Sequence, residues 1–302
     1  MTIQHETAGP AVDFPAAAES ALRHAARRSG LDSRGARLLR LFATAVYHLP
    51  AADAVARIAP VTSPDSVARL ATSVQVTRWL TEIGFPSVEP LPVEQPVTGN
   101  GCVVTFWRYL PQDGPEPVPA DLGFLLRRLH GLGQPPVAFR GYQPLVSARR
   151  AIASSRAIDE EERVWLEERC EQLLDTYSQL SFQLPPGMIH GDAYRGNLLR
   201  NGHRVVLADW DAVSVGPREV DLIPTLQAIR FGLAEDQRDA FIAAYGQDIR
   251  SWHGYPALRD IRELSTLSAL LRDGHVDTAA RRELRIRLHS LRTGDDRVWT
   301  PF

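Results

Sequence analysis

The feature that most constrains this chain is a stretch of strand and turn character set inside an otherwise helical second half. It runs Met188-Ile189-His190-Gly191-Asp192-Ala193-Tyr194-Arg195-Gly196-Asn197-Leu198-Leu199 and passes through the turn pair Asn201-Gly202. It then returns as Arg204-Val205-Val206-Leu207-Ala208-Asp209-Trp210-Asp211. Asn-Gly between two apolar runs is a hairpin signal, because the tight turns that match strand twist need residues tolerant of positive φ. Folding the hairpin over lets Asp192, Asn197 and Asp209 converge. One carboxylate, one amide oxygen and a second carboxylate form an oxygen-donor set. Hard cations such as Mg²⁺ take such ligands, completed by water and phosphate oxygens.

The rest of the chain divides around a Pro-rich connector, Pro111 to Pro119. Before it, residues 1–14 read as a polar leader, and an Ala-rich helix over 15–29 stops at Gly30. A strand run, Leu38 to Phe42 continuing to Val46–Leu49, is followed by a second at Ala54–Ile58, with Pro50–Asp53 turning between them. Ser63-Pro64-Asp65 opens a helix, with Pro at its first helical position, that ends at Gly84. Cys102–Trp107 is another strand. After the connector, residues 120–132 and 157–180 repeat apolar positions every three or four residues. The tail from Pro217 to Leu291 is again helical, broken near Gly232, Gly246–Pro256 and Gly274. The expected organisation is α+β and bilobal. Residues 1–110 form a small antiparallel-sheet lobe and 111–302 a larger, mainly helical one.

Composition narrows the function classes. The chain is 44% hydrophobic and 23% charged, which suits a buried core. A formal net charge of −2 gives no basic surplus for nucleic acid or an anionic membrane. Cys102 and Cys170 stand far apart without a Cys/His cluster, against a disulfide scaffold or a zinc site. No signal peptide and no run of 18 apolar residues is visible, so a cytoplasmic protein is expected. All 34 basic residues are Arg. A Walker lysine, a Schiff-base lysine and a lysine general base are therefore excluded, and any fixed cation must be a guanidinium.

His190-Gly191-Asp192, Asn197, and Asp209 in Leu-Ala-Asp-Trp-Asp, followed by Gly216 to Leu222, resemble the catalytic core of aminoglycoside and choline kinase-type phosphotransferases. These are small-molecule relatives of protein kinases. The resemblance implies a protein-kinase-like fold, Mg²⁺ as cofactor, and ATP or GTP as donor to a small hydroxylated substrate. It implies Asp192 as the base that takes the substrate hydroxyl proton, with Asn197 and Asp209 as metal ligands. It also implies that Asp221 holds the catalytic loop through backbone hydrogen bonds. His190 reads as a buried spacer. Asp211 is open between a second metal-side carboxylate and a turn residue.

In the first lobe the resemblance implies a phosphate-covering turn at Phe42–Tyr47, including Thr44, which here lacks Gly. It also implies a cation on the third strand, Arg57, whose fork suits phosphate oxygens. The Glu expected to partner that cation is replaced by Ser73, leaving Ser73 or Gln75 as weak support or a carboxylate elsewhere in the chain. Backbone groups around Trp107 and Tyr109 fall where a nucleobase is expected, and a core role for Trp107 is equally compatible. Between residues 221 and 302 stand 12 acidic and 12 arginine residues. That span has no acidic surplus for a polycationic acceptor. Trp252, His253 and Tyr255 could wall a pocket for a less charged alcohol or simply pack a helix junction. The expected activity is O-phosphotransfer by a monomer or homodimer, in antibiotic resistance or ordinary metabolism. The alternatives are a non-catalytic nucleotide-binding protein and a metal-dependent hydrolase built on His190, Asp192, Asp209 and Asp211.

Overall fold

A computed structural model describes residues 14–63 and 65–301. The polar leader before Phe14 and the expectation for Pro64 lie outside the described residues. The chain forms two compact units divided at Asp113 and Gly114.

The first unit is built on a five-stranded antiparallel sheet of order β1-β2-β3-β5-β4. Its strands are β1 (Arg37–Leu41), β2 (Ala45–Leu49), β3 (Ala54–Pro60), β4 (Val97–Gly99) and β5 (Cys102–Arg108). The run expected as one strand from Leu38 to Leu49 is instead the hairpin β1–β2. Its turn closes where the Phe42 amide donates to the Thr44 carbonyl at 3.0 Å, and Leu41 lies opposite Ala45. Helix α1 (Phe14–Arg28) buries Ala18, Ala21, Leu22, Ala25 and Ala26. Small side chains on that stripe let the helix sit close to Ala54, Ala56, Ile58, Val104 and Phe106 of the sheet. Helix α2 (Asp65–Glu82) buries Leu70, Val74, Val76, Thr77 and Leu80, near the expected helical spacing, and packs on β5. Strand β4 was not anticipated. Its three residues follow a Pro-rich stretch and give too short a pattern to read.

The second unit is mainly helical. Its helices are α3 (Pro119–His130), α4 (Val146–Ser154), α5 (Glu160–Ser178), α6 (Glu219–Leu226), α7 (Glu235–Tyr245), α8 (Tyr255–Ser265), α9 (Leu267–Asp273) and α10 (Thr278–Thr293). The pair α3–α7 is tight. A Cβ at Gly123 would come within 2.5 Å of the Phe241 carbonyl oxygen, so only glycine lets these backbones meet. Helix α5 starts at the capping box of Asp159 and Glu162, whose side chains satisfy each other's amides at 2.9 and 3.2 Å. Helix α4 begins after Leu145 in a left-handed conformation and without a side-chain cap, which explains why no start signal is visible there. Two small sheets interrupt the helices. Strands β7 (Leu198–Asn201) and β8 (Arg204–Leu207) form the expected hairpin, while β6 (Gly187–Ile189) pairs with β9 (Ser214–Gly216). Among the described residues, no helix is long and apolar enough to cross a membrane.

Candidate active site

The two small sheets of the second unit hold one loop, residues 190–197, between β6 and β7. Three buried groups fix its start. Asp221, with no exposed surface, accepts the His190 amide on Oδ2 at 2.7 Å and the Gly191 amide on Oδ1 at 2.8 Å. Its Oδ2 also meets His130 Nε2 at 3.1 Å, and His130 Nδ1 lies 3.0 Å from the Tyr245 hydroxyl. Facing a carboxylate, Nε2 is the donor in that contact. Gly191 is required: its φ is +83°, and a Cβ would fall 2.3 Å from the Ala212 carbonyl oxygen.

His190 is fully buried and spans the loop. Its Nε2 donates to the Ala208 carbonyl at 2.9 Å, and its Nδ1 accepts the Asp192 amide at 3.4 Å. Its ring packs 4.8 Å from that of Trp210. Both ring nitrogens are thus used within the loop, as a spacer requires, and neither is left for a metal. That removes the histidine from the hydrolase alternative.

Asn197 is buried, and its Nδ2 donates to the Asp192 carbonyl at 2.9 Å. With the amide nitrogen committed, Oδ1 is the atom able to face a cation. The Ala208 amide donates to the Asn197 carbonyl at 2.8 Å, continuing the Leu198–Leu207 register. Asp209 therefore follows directly from the residue opposite Asn197. It adopts a left-handed backbone (φ 62°, ψ 63°), an unfavourable conformation for a residue with a Cβ. The residue types fit a Mg²⁺ site of two protein ligands, since that ion keeps water and phosphate oxygens in the rest of its shell.

Asp192 carries the loop's partly exposed carboxylate. Its Oδ1 accepts from Arg262 Nη1 on α8 at 2.9 Å, and the two side chains are 42% and 28% exposed. Its Oδ2 has no hydrogen-bond partner among the described residues. Nothing in the sequence singles out Arg262 from the other arginines, and only the fold brings α8 to this loop. Tyr142 was missed likewise. Its amide donates to the Val215 carbonyl at 2.8 Å, placing it beside β9. Burial pushes the Tyr142 hydroxyl well above the ordinary phenol range. Tyr177, Asp221 and Asp192 add to that rise, and Arg262 opposes it. Trp252 is buried and donates from Nε1 to the Ser181 carbonyl at 3.0 Å, so it packs a helix junction. Tyr255 opens α8, where burial first, and then the Glu263 carboxylate, raises its hydroxyl.

In the first unit, register places two of the nucleotide-side candidates, Arg57 and Trp107, on one sheet face. Arg57 lies between Val46 and Thr105, and its neighbour Val55 lies between His48 and Trp107. Trp107 is buried and its Nε1 donates to Thr105 Oγ1 at 2.9 Å, so the indole is part of the core. Tyr109 stacks on His48 with ring centroids 3.8 Å apart. Thr44 closes the β1–β2 turn. Ser73 is 1% exposed, and its Oγ has no hydrogen-bond partner among the described residues, while Gln75 points to solvent.

The sequence matches the phosphotransferase enzyme family (APH) over residues 36–259. The chain belongs to this phosphotransferase family. No curated protein matches it. Among solved structures, it is similar to the amicoumacin kinase hAmiN in complex with AMP-PNP, Ca²⁺ and Ami. That match has a TM-score of 0.71 at 14% identity, covering 93% of this chain and 94% of that one. A choline/ethanolamine kinase family protein from Mesorhizobium loti matches with TM-score 0.60 at 19% identity, over 86% and 89% of the two chains. The aminoglycoside phosphotransferase APH(3'')-Id from Streptomyces rimosus matches with TM-score 0.57 at 18% identity, over 84% and 99%. At these identities the likenesses establish the protein-kinase-like fold.

Proposed function

We propose that this enzyme transfers the γ-phosphoryl group of ATP or GTP, as its Mg²⁺ complex, to a hydroxyl of a small molecule. The observation that carries the reading is the anchored loop. Asp221 ties down the residues just before Asp192, while Asn197 braces the Asp192 carbonyl. Asp192 Oδ2 orients the acceptor hydroxyl and takes its proton as the new O–P bond forms and the bond to the β–γ bridging oxygen breaks. The nucleoside diphosphate then leaves. Asn197 Oδ1 and Asp209 would hold Mg²⁺, which neutralises charge on the phosphate oxygens when bound. Arg57 cradles the α- and β-phosphates, the turn containing Thr44 covers them, and the backbone near Trp107 and Tyr109 meets the base. The amicoumacin kinase solved with AMP-PNP and Ca²⁺ supports a nucleotide donor and a divalent cation. Catalysis is then mainly positioning and electrostatic stabilisation.

A second reading, nucleotide binding without transfer, is favoured by one observation. Ser73 is buried where a carboxylate is expected to support Arg57. Mass-spectrometric detection of phosphorylated product across an alcohol panel, with Mg-ATP and with Mg-GTP, separates the two. Product that falls by about 100-fold or more in Asp192→Ala supports transfer with Asp192 as base. Near-normal turnover in that variant removes Asp192 from the mechanism. Nucleotide binding without any product supports the second reading.

A further inference from the structure

The acceptor end of the site carries a cation that the phosphotransfer reading does not use. Arg262 reaches Asp192 Oδ1 through Nη1 alone. Its remaining N–H groups have no hydrogen-bond partner among the described residues, and 28% of its side chain is exposed. A guanidinium with donors to spare, beside the one carboxylate oxygen left for the acceptor hydroxyl, is built to meet an oxyanion.

The carboxylates that could instead receive an ammonium group near α8 are already paired. Asp260 is held by Arg169 at 2.7 Å and by Arg259 at 2.9 Å. Glu263 lies 3.6 Å from Arg230, and Asp248 accepts from Arg250 at 2.7 Å. The equal numbers of acidic and basic residues in this span therefore reflect local neutralisation, and Arg262 stands next to the reacting group. A cationic acceptor placed on Asp192 would meet that guanidinium at short range.

Resting on the phosphotransfer reading, we propose that Arg262 is the specificity-determining residue of the acceptor site. It selects hydroxylated molecules that carry a carboxylate or phosphate close to the hydroxyl, and it rejects amino alcohols. Arg262 donates from Nη1 to Asp192 throughout, holding that carboxylate so that Oδ2 faces the hydroxyl. Its Nη groups, Nη2 above all, bind the acceptor's oxyanion, since Nε is buried. The hydroxyl and the oxyanion of one small molecule thus fall on adjacent groups, Asp192 and Arg262.

The test uses the full chain, Arg262→Gln and Arg262→Lys, with glycerate, gluconate and 3-phosphoglycerate as anionic probes. Glycerol and sorbitol are the neutral probes, and ethanolamine and kanamycin the cationic ones. Thermal unfolding in Mg-AMP-PNP is read beside product formation. The anionic probes are expected to raise the wild-type midpoint, and Arg262→Gln to weaken that response on the order of 10- to 100-fold in concentration, the effect of losing a hydrogen bond to a charged group. Arg262→Lys is expected to rescue it only in part, because an ammonium lacks the fork. In turnover, KM for the anionic acceptor is expected to rise, while loss of the Asp192 contact lowers kcat for anionic and neutral acceptors alike; the midpoint rise from Mg-AMP-PNP alone is retained. A cationic probe that binds or reacts best with wild type overturns the proposal. So does an anionic response unchanged by Arg262→Gln, or a wild type that binds Mg-AMP-PNP and responds to no anionic probe. Failure of Mg-AMP-PNP to bind any of the three proteins marks instead the failure of the phosphotransfer reading, and the proposal falls with it.

Discussion

Asp221→Asn is the substitution whose consequence follows most directly from the geometry. Asp221 accepts three hydrogen bonds, from the His190 and Gly191 amides and from His130 Nε2, with no exposure to solvent. The amide keeps the shape but removes the charge, and it turns one oxygen into a donor. If that donor takes the Oδ1 position it faces the Gly191 amide; if it takes Oδ2 it faces two donors. Either way at least one charge-assisted bond is lost and a buried donor is left unmet, at about 1.5–3 kcal/mol for each such group. A total of about 3 kcal/mol lowers the unfolding midpoint by about 6–12 °C for a unit of this size. Differential scanning fluorimetry measures the midpoint, and phosphorylated product from the alcohol panel measures the second consequence. Releasing the amides of His190 and Gly191 displaces Asp192, so turnover should fall by about 100-fold or more while nucleotide binding persists. A midpoint moved by less than about 1 °C with full turnover refutes the claim that this carboxylate holds the loop.

Gly191→Ala adds a Cβ 2.3 Å from the Ala212 carbonyl oxygen at a φ of +83°, so a lower midpoint and loss of turnover are expected in the same assays. Arg287→Leu removes a buried guanidinium bound to Glu283 at 2.8 Å and to the Thr300 carbonyl at 2.6 Å. It leaves Glu283 unpaired, and denaturant unfolding should show a loss of about 3–5 kcal/mol. The pH prediction concerns Asp248, whose carboxyl Arg250 holds below its ordinary value of 3.8. A depressed folded-state pKa contributes stability that is present above the ordinary value and lost as the pH falls through the folded value. Midpoints measured from pH 5 downward should therefore fall less steeply in Asp248→Asn than in wild type.

The sequence made the fold class legible because the two units differ in periodicity. Alternating short runs with Pro and Gly breaks precede the connector, and apolar positions every three or four residues follow it. The loop from His190 to Asn197 was legible because its chemistry is local. The hairpin turn at Asn201-Gly202 sets the register, and the register sets Asn197 opposite Ala208, one residue before Asp209. What escaped depends on distance along the chain. Arg262 lies far from Asp192 in sequence, and its helix reads like any amphipathic helix. The break at Phe42–Thr44 has no Gly, Asn or Pro to mark a turn, so composition read the run as continuous and only the family resemblance placed a turn there. Strand β9 is three residues long and was hidden among helix-start signals. Trp252 was open between a pocket wall and helix-junction packing, and its bond to the Ser181 carbonyl identifies it as packing.

In the proposed mechanism, Asp209 and Asn197 hold a divalent cation on a bound nucleotide. Thermal unfolding of wild type and Asp209→Ala, each with Mg²⁺ alone, Mg-ATP and Mg-GTP, tests it most directly. A ligand at about 100 times its Kd stabilises the folded state by about 2.7 kcal/mol, a clear rise in midpoint. A Mg²⁺-dependent rise with at least one nucleotide is expected in wild type, and its loss in Asp209→Ala. No rise with either nucleotide at millimolar concentration, or an equal rise in Asp209→Ala, would contradict it.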